Sequence, residues 1–471
     1  MFQHINSILL EFRNCFKREK TWHWFVILIL GFMIRSGKRG ITQVISALRL
    51  RPELYHTMLH YFRSNAYTTD ALYKKWIQVA NDNNPFTKVA GRIVLLGDHI
   101  KIAKEGRRMP GIQILHQDSQ NSGKGEYIEG HIHAHVSAVI SGSGVSRSLP
   151  LMTQRQQSPL KNEDTKKPDG ETLITQMVNL IGKVVSFMQG NDKVVAVLDA
   201  YFAKASAFLA ADNVLTADGE RRLEIITRGR DDSVGYTAPP PRLKGQRGRS
   251  RKYGNAIKLW NLFADMKLFT KATLTLYGKP TDVKYRTLDL TWKPLGRVIR
   301  FVVAQSCRGK MILMCSDLTI QPEDIITMYC LRFKIETSFD EQKNDNGCFS
   351  YRFWTAALPK RKRWAKNCVA AAIGSPSSVE DANRAIESFL CLGVIATGIM
   401  TIIAFSHNRQ IWGRYSGWIR TLRSVIPSIA VVKDVFAQDF HAFLKAFPMC
   451  ELACIVDDKI STDIFLFLDV A

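Results

Sequence analysis

Tyr329, Arg332, Glu336 and Lys343 stand at i, i+3, i+7 and i+14 within YCLRFKIETSFDEQK. On a helix turning about 100° per residue they fall at roughly 0°, 300°, 340° and 320°, an arc of about 60°. One face would then carry a lone carboxylate, two permanent cations and a phenol. That mixture suits a site that holds a metal and grips phosphates. Two apolar runs upstream each end in one aspartate, Ile93-Val94-Leu95-Leu96-Gly97-Asp98 and Val194-Val195-Ala196-Val197-Leu198-Asp199. Asp98, Asp199 and Glu336 are expected to form one metal-binding site that acts on DNA. Two-metal phosphoryl transfer needs carboxylates from different elements to meet around cations about 4 Å apart. Hard oxygen ligands suit Mg²⁺, with Mn²⁺ as a substitute. Taken singly, each acid has a plainer role. Asp98 could end a strand in a turn, Asp199 could cap the helix opening at Ala200-Tyr201-Phe202, and Glu336 could pair with Arg332 at i−4.

The elements that must position these acids follow from hydrophobic period and turn residues. Strands are expected at Ile93–Asp98, His131–Ile140 and Val145–Met152, the last two joined by Ser141-Gly142-Ser143-Gly144. An amphipathic helix from about Glu171 to Met188 stops at Gly190. The strand Val194–Leu198, a helix over Tyr201–Ala211 and the strand Leu223–Thr227 come next. Gln321-Pro322-Glu323-Asp324 then starts the helix that carries Tyr329 to Lys343. This is the element order of a ribonuclease-H-like core. The expected fold class is therefore α/β, a ribonuclease-H-like catalytic core interrupted by a β-rich insertion and flanked by helical N- and C-terminal regions. The expected divisions are 1–85 (helical), 86–228 (first part of the core), 229–319 (insertion), 320–375 (catalytic helix) and 376–471 (helical).

With 471 residues and 46% apolar content the chain can bury several cores. Its net charge of +23 points to nucleic acid first and an anionic membrane surface second. Residues 1–64 hold ten Lys/Arg against three Asp/Glu. Short helices at Ile41–Leu48 and Glu53–Phe62, separated by Arg49-Leu50-Arg51-Pro52, fit a DNA-binding helix-turn-helix or two helices of a small bundle. The nine cysteines are scattered without a C-x-x-C pair, as expected of reduced thiols in a cytoplasm. Trp24–Ile34 and Phe389–Phe405 are apolar but short for a membrane span, so both are expected as buried helices of a soluble protein.

Basic clusters offer phosphate contacts. Arg242, Lys244, Arg247, Arg249, Arg251 and Lys252 crowd one Gly/Pro-rich stretch, where a solvated linker is the alternative. Arg107 and Arg108 follow the first aspartate. Lys360-Arg361-Lys362-Arg363-Trp364 sets an aromatic among cations, where it could stack on an unpaired base. His131, His133 and His135 alternate and so share one strand face, yet no further ligand with zinc spacing accompanies them. No glycine-rich loop with nucleotide-binding spacing occurs, so no nucleotide cofactor is expected.

These motifs resemble the DDE transposases of bacterial insertion sequences, in the branch marked by Tyr-x2-Arg-x3-Glu-x6-Lys. Tyr329, Arg332, Glu336 and Lys343 match that signature. Lys104-Glu105-Gly106-Arg107-Arg108-Met109-Pro110-Gly111, Leu115-His116-Gln117, Glu126-Tyr127-Ile128 and Arg247-Gly248-Arg249-Ser250-Arg251-Lys252-Tyr253-Gly254 also look like members of the group. The likeness spans most of residues 90–425. It implies that Asp98, Asp199 and Glu336 are the catalytic acids and metal ligands. It also implies that Tyr329, Arg332 and Lys343 contact phosphates near a transposon end. The implied activity is Mg²⁺-dependent 3′-end cleavage and strand transfer by a homodimer on inverted repeats and target DNA, at a bacterial nucleoid. The alternatives are a non-catalytic DNA-binding derivative and a nuclease of the same fold.

Overall fold

The computed structural model describes residues 1–36, 40–117, 125–158, 160–161, 168–169, 171–241, 249–364, 373–419 and 424–460. Helices α1 (Phe2–Leu10), α2 (Glu19–Ile34), α3 (Gly40–Leu48), α4 (Leu54–Arg63) and α5 (Thr69–Asn83) open the chain. Every residue of α2 from Phe25 to Ile34 is buried, which explains its lack of a polar stripe. Pro52 lies ahead of α4. There its carbonyl accepts from the Tyr55 N–H at 3.1 Å.

The sheet begins with β1 (Lys88–Val89), β2 (Arg92–Ala103), β3 (Gln113–His116), β4 (Tyr127–Gly142) and β5 (Val145–Gln156). A small ribbon, β6 (Leu160–Lys161) and β7 (Pro168–Asp169), precedes α6 (Leu173–Phe187). Then come β8 (Val194–Leu198), α7 (Ala205–Asp212) and β9 (Leu223–Arg228). Ser143 and Gly144, with φ of 50° and 74°, make the two-residue turn between β4 and β5. Thr172 caps α6 by accepting the Thr175 N–H at 3.3 Å, and the apolar face of the helix covers the sheet.

Register places the acids. β4 runs antiparallel to β2 and β5, while β8 runs parallel to β2 and to β9. Leu96 lies beside Val197 on the parallel pair. Two residues further along both strands, that register sets Asp98 beside Asp199 on axes about 4.8 Å apart. The next pair couples Leu198 to Thr227, which sets Asp199 beside Arg228 by the same extension.

The segment after β9 extends this sheet. It supplies β10 (Val234–Tyr236), β11 (Ala256–Lys258), β12 (Thr270–Leu276), β13 (Lys279–Trp292), β14 (Arg297–Ser306) and β15 (Gly309–Cys315). β15 pairs antiparallel with β9, so the described residues form one thirteen-stranded mixed sheet. The chain then continues through α8 (Pro322–Leu331) and α9 (Lys334–Asp340). It ends in α10 (Pro376–Ser406), α11 (Asn408–Arg414), α12 (Ile429–Ala446) and α13 (Glu451–Asp457).

α10 packs on β5, α2, α5 and α12 and ties both ends of the chain to the sheet. It is long and apolar enough to cross a membrane, but 94% of its most apolar window is buried inside the protein. Its hydroxyls are satisfied on their own helix: Thr397 donates to the Gly393 carbonyl at 2.8 Å and Thr401 to the Thr397 carbonyl at 2.9 Å. A Cβ added at Gly398 would lie 2.0 Å from the Trp76 ring. That ring is fully buried and fixed by its N–H, which donates to the Pro150 carbonyl at 2.9 Å. The clash outweighs the gain in helix propensity of about 1 kcal/mol. Gly398→Ala should therefore lower unfolding free energy by about 1–3 kcal/mol, read as a lower urea midpoint.

Candidate active site

Asp98 lies inside β2, not at a strand end as its sequence context suggested, because β2 runs on to Ala103. Its Oδ1 accepts the N–H of His99 at 2.7 Å, and its Oδ2 accepts Arg332 Nη1 at 3.0 Å. Asp199 directly follows β8 and does cap the short turn Ala200–Phe202, accepting the Tyr201 N–H at 2.9 Å. Thr227 on β9 donates to the Asp199 carbonyl at 2.5 Å, which fixes the backbone at this point. The helix expected at Tyr201 begins after that turn, at Ala205.

A single helix from Tyr329 to Lys343 is not what forms. α8 stops at Leu331, and the N–H groups of Arg332, Ile335 and Glu336 reach carbonyls only three residues back. Past α9 the coil widens into a π turn, Glu341–Asp345, where the Asn346 N–H bonds the Glu341 carbonyl five residues back. Tight and wide turns rotate the chain by different angles per residue, so the face computed at 3.6 residues per turn does not extend to Lys343. Tyr329, Arg332 and Glu336 nonetheless join the aspartates. Arg332 bridges Asp98 and Glu336, with Nη2 reaching Glu336 Oε1 at 3.5 Å. Lys343 is exposed on the wide turn.

The charges respond to this crowding. Burial is the main reason that the Asp98 carboxyl is raised to about 7. Asp199 and Glu336 push it further up, while Arg332 and the His99 N–H pull it back. Burial also raises the Tyr329 phenol, against Arg332 and Arg228 and with Asp199. Burial opposes the Arg332 charge, but Asp98, Tyr329, Asp199 and Glu336 outweigh it and raise its pKa. Two partly buried aspartates and a half-exposed glutamate thus crowd around Arg332, with Arg228 close by on β9. Oxygen donors of that kind fit Mg²⁺ chemically. Among the described residues, no three His, Cys, Asp or Glu side chains are drawn together as metal ligands.

Arg228 is a member of the site that the sequence reading missed. Its strand-final position after Leu223–Thr227, matching that of Asp199 after Val194–Leu198, was the available signal. His99 was passed over as well. It stacks on Phe202 at 5.3 Å, shares a 2.7 Å hydrogen bond with Gln156 Oε1 and is lowered to about 4, mainly by burial. The alternating histidines do share a buried face. His131 and His133 meet the Tyr351 hydroxyl at 2.6 and 2.9 Å. His135, neutral because burial lowers it to about 3, contacts Thr153 Oγ1 at 2.8 Å and Gln342 Nε2 at 3.2 Å. Of that row, His135 braces the segment carrying Glu336 through Ser338 and Gln342.

Of the other basic residues singled out in the sequence, Arg242 and Lys244 fall outside the described residues. Arg107 donates to the Arg361 carbonyl at 3.0 Å, and the Arg108 carbonyl accepts the Thr355 N–H at 3.2 Å. Arg249, Arg251 and Lys252 are exposed, and Arg247 falls outside the described residues.

Glu341, on the wide turn, is buried and raised to about 7. Burial is the chief cause, with Arg147 pulling down and Asp345 and Asp340 pushing up. Stability tied to its proton is whole below its ordinary 4.5 and is lost as pH rises through about 7. Glu341→Gln should thus raise the thermal midpoint at pH 8 and leave it nearly unchanged near pH 4.5.

Comparison with known proteins bears on this geometry. The family model described as DDE superfamily endonuclease matches residues 11–283, a stretch that contains Asp98 and Asp199. No curated protein matches the chain. The NurA nuclease from Sulfolobus solfataricus is 9% identical, over 60% of this chain and 86% of its own, with a TM-score of 0.21, too low to support an argument. The family match covers more than half of the chain. The chain belongs to the DDE superfamily endonuclease family.

Proposed function

We propose that this chain is a cut-and-paste DNA transposase. It would bind the inverted repeats at transposon ends, pair two ends as a homodimer, cleave to free a 3′-hydroxyl and join that end to target DNA. Membership of the endonuclease family gives DNA as the substrate class, and such nucleases generally use divalent metal ions. The observation that carries the finer reading is the register that sets Asp98 beside Asp199, with Arg332 linking Asp98 to Glu336. The strand order β5-β4-β2-β8-β9, three antiparallel strands followed by two parallel additions, supports a ribonuclease-H-like core. On this reading residues 86–228 and 320–375 form the core, 229–319 the insertion, and 1–85 and 376–471 the flanking regions.

Asp98, Asp199 and Glu336 would hold Mg²⁺, which when bound would lower the pKa of an attacking water and offset charge on the leaving oxygen. Arg332, poised between two of these acids, presents a planar fork to a phosphate that approaches them. Tyr329 holds its proton and can donate it as a hydrogen bond. The raised Asp98 pKa favours any cation that relieves the crowding. Lys343, Arg107, Arg108, Arg247, Arg249, Arg251 and Lys252 would hold DNA backbone.

A nuclease without strand transfer shares all these residues, so joining of pre-nicked ends is the discriminating assay. Labelled end duplexes with a free 3′-hydroxyl, incubated with supercoiled target and Mg²⁺, should become covalently joined to it. Cleavage of intact ends without any joining would reduce the protein to a nuclease.

A further inference from the structure

A cavity of about 430 Å³ opens at the far end of β2, lined by Arg107, Tyr127, Glu129, Arg361, Arg363 and Trp364 among others. Ala103, on its wall, is five residues along β2 from Asp98, roughly 16 Å at strand rise. Trp364 is 55% exposed and Tyr127 48% exposed, although large aromatics normally gain from burial. Trp364 also has a φ of 60°, a left-handed conformation unfavourable for a bulky residue.

Glu129 and Arg361 anchor the backbone at this point. Glu129 Oε1 accepts the Trp364 N–H at 2.8 Å and pairs with Arg361 Nη2 at 3.2 Å. Arg361 donates from Nη1 to the Ile112 carbonyl at 3.3 Å, and its backbone N–H bonds the Arg107 carbonyl at 3.0 Å. Trp364 thus lines the cavity together with the exposed cations Arg107 and Arg363.

From this we infer that the cavity binds one nucleotide of an unpaired DNA strand, with the base stacked on Trp364 and the phosphate between Arg107 and Arg363. The volume falls at the lower end of the ~300–1,000 Å³ usual for small-ligand sites. A duplex keeps its base faces inside its own stack, whereas an unpaired strand offers them to a ring. DNA as the partner rests on the function proposed above.

The test is fluorescence anisotropy of the full chain with a labelled single-stranded 12-mer and a 12-base-pair duplex, without divalent metal so that neither is cut. Trp364→Ala should weaken single-strand binding about 5- to 150-fold. Trp364→Phe should restore it to within about threefold. Duplex binding should stay within about twofold in both variants, because phosphate contacts carry it. Unchanged single-strand binding in Trp364→Ala overturns the assignment, as does an equal loss on single strand and duplex. Competition by free dAMP at the oligonucleotide's own concentration would also overturn it, by making the cavity a site for free nucleotides. If the parent protein bound neither DNA form, the transposase reading itself would fall.

Discussion

Asp199→Asn is expected to cut 3′-end nicking at least about 10³-fold while end-duplex affinity stays within about twofold. The substitution isolates charge from structure. Asp199 Oδ1 caps the Ala200–Phe202 turn by accepting the Tyr201 N–H, and an asparagine side-chain oxygen can accept the same bond. What disappears is one negative charge beside Asp98. A metal that stabilises transition-state charge contributes several kcal/mol, and each ~1.4 kcal/mol is tenfold in rate, which gives the stated loss. Glu336→Gln should behave alike, since Glu336 is half-exposed and its only described side-chain bond is the 3.5 Å contact with Arg332. Nicking at saturating protein in Mg²⁺, beside a binding titration, measures both effects. Full nicking by either variant would remove these acids from the chemistry.

The second large effect is a dependence on salt. With a net charge of +23 and exposed cations at Arg107, Arg249, Arg251 and Lys252, binding should be driven mainly by counterion release. If six to ten phosphates are contacted, affinity for end duplexes should fall by roughly 10³–10⁵ between 50 and 200 mM salt. Anisotropy titrations across that range check it. A flat dependence would mean that these cations face solvent only.

Much of the element sequence was legible because its cause is local. Val194–Leu198 is an apolar run bounded by Gly190 and Asp199, and α6 shows its period and its cap, so both form close to where expected. β2 was read too short, although His99-Ile100-Lys101-Ile102 keeps the alternation of a strand. The placement of the site was less legible. Parallel pairing of β2 with β8 joins residues about a hundred positions apart, and no local signal specifies that Leu96 meets Val197. Arg228 escaped notice although its place at the end of β9 parallels that of Asp199 after β8. The tight and wide turns around Glu336 arise from tertiary contacts. Ser338 and Gln342 bond the buried His135, and the Arg35 guanidinium donates to the Asn346 and Gly347 carbonyls beyond the π turn at 2.7 and 2.8 Å. A helical period read from the chain alone contains none of these contacts.

In the proposed active site, Asp98, Asp199 and Glu336 share divalent metal ions. Anomalous diffraction from crystals grown with Mn²⁺ and an end duplex tests this most directly. The prediction is a Mn²⁺ peak about 2.0–2.3 Å from carboxylate oxygens of Asp98 and Asp199, lost in Asp199→Asn. Ordered DNA at this face with Arg332 still bridging Asp98 and Glu336, and no Mn²⁺ at the acids, would contradict the account.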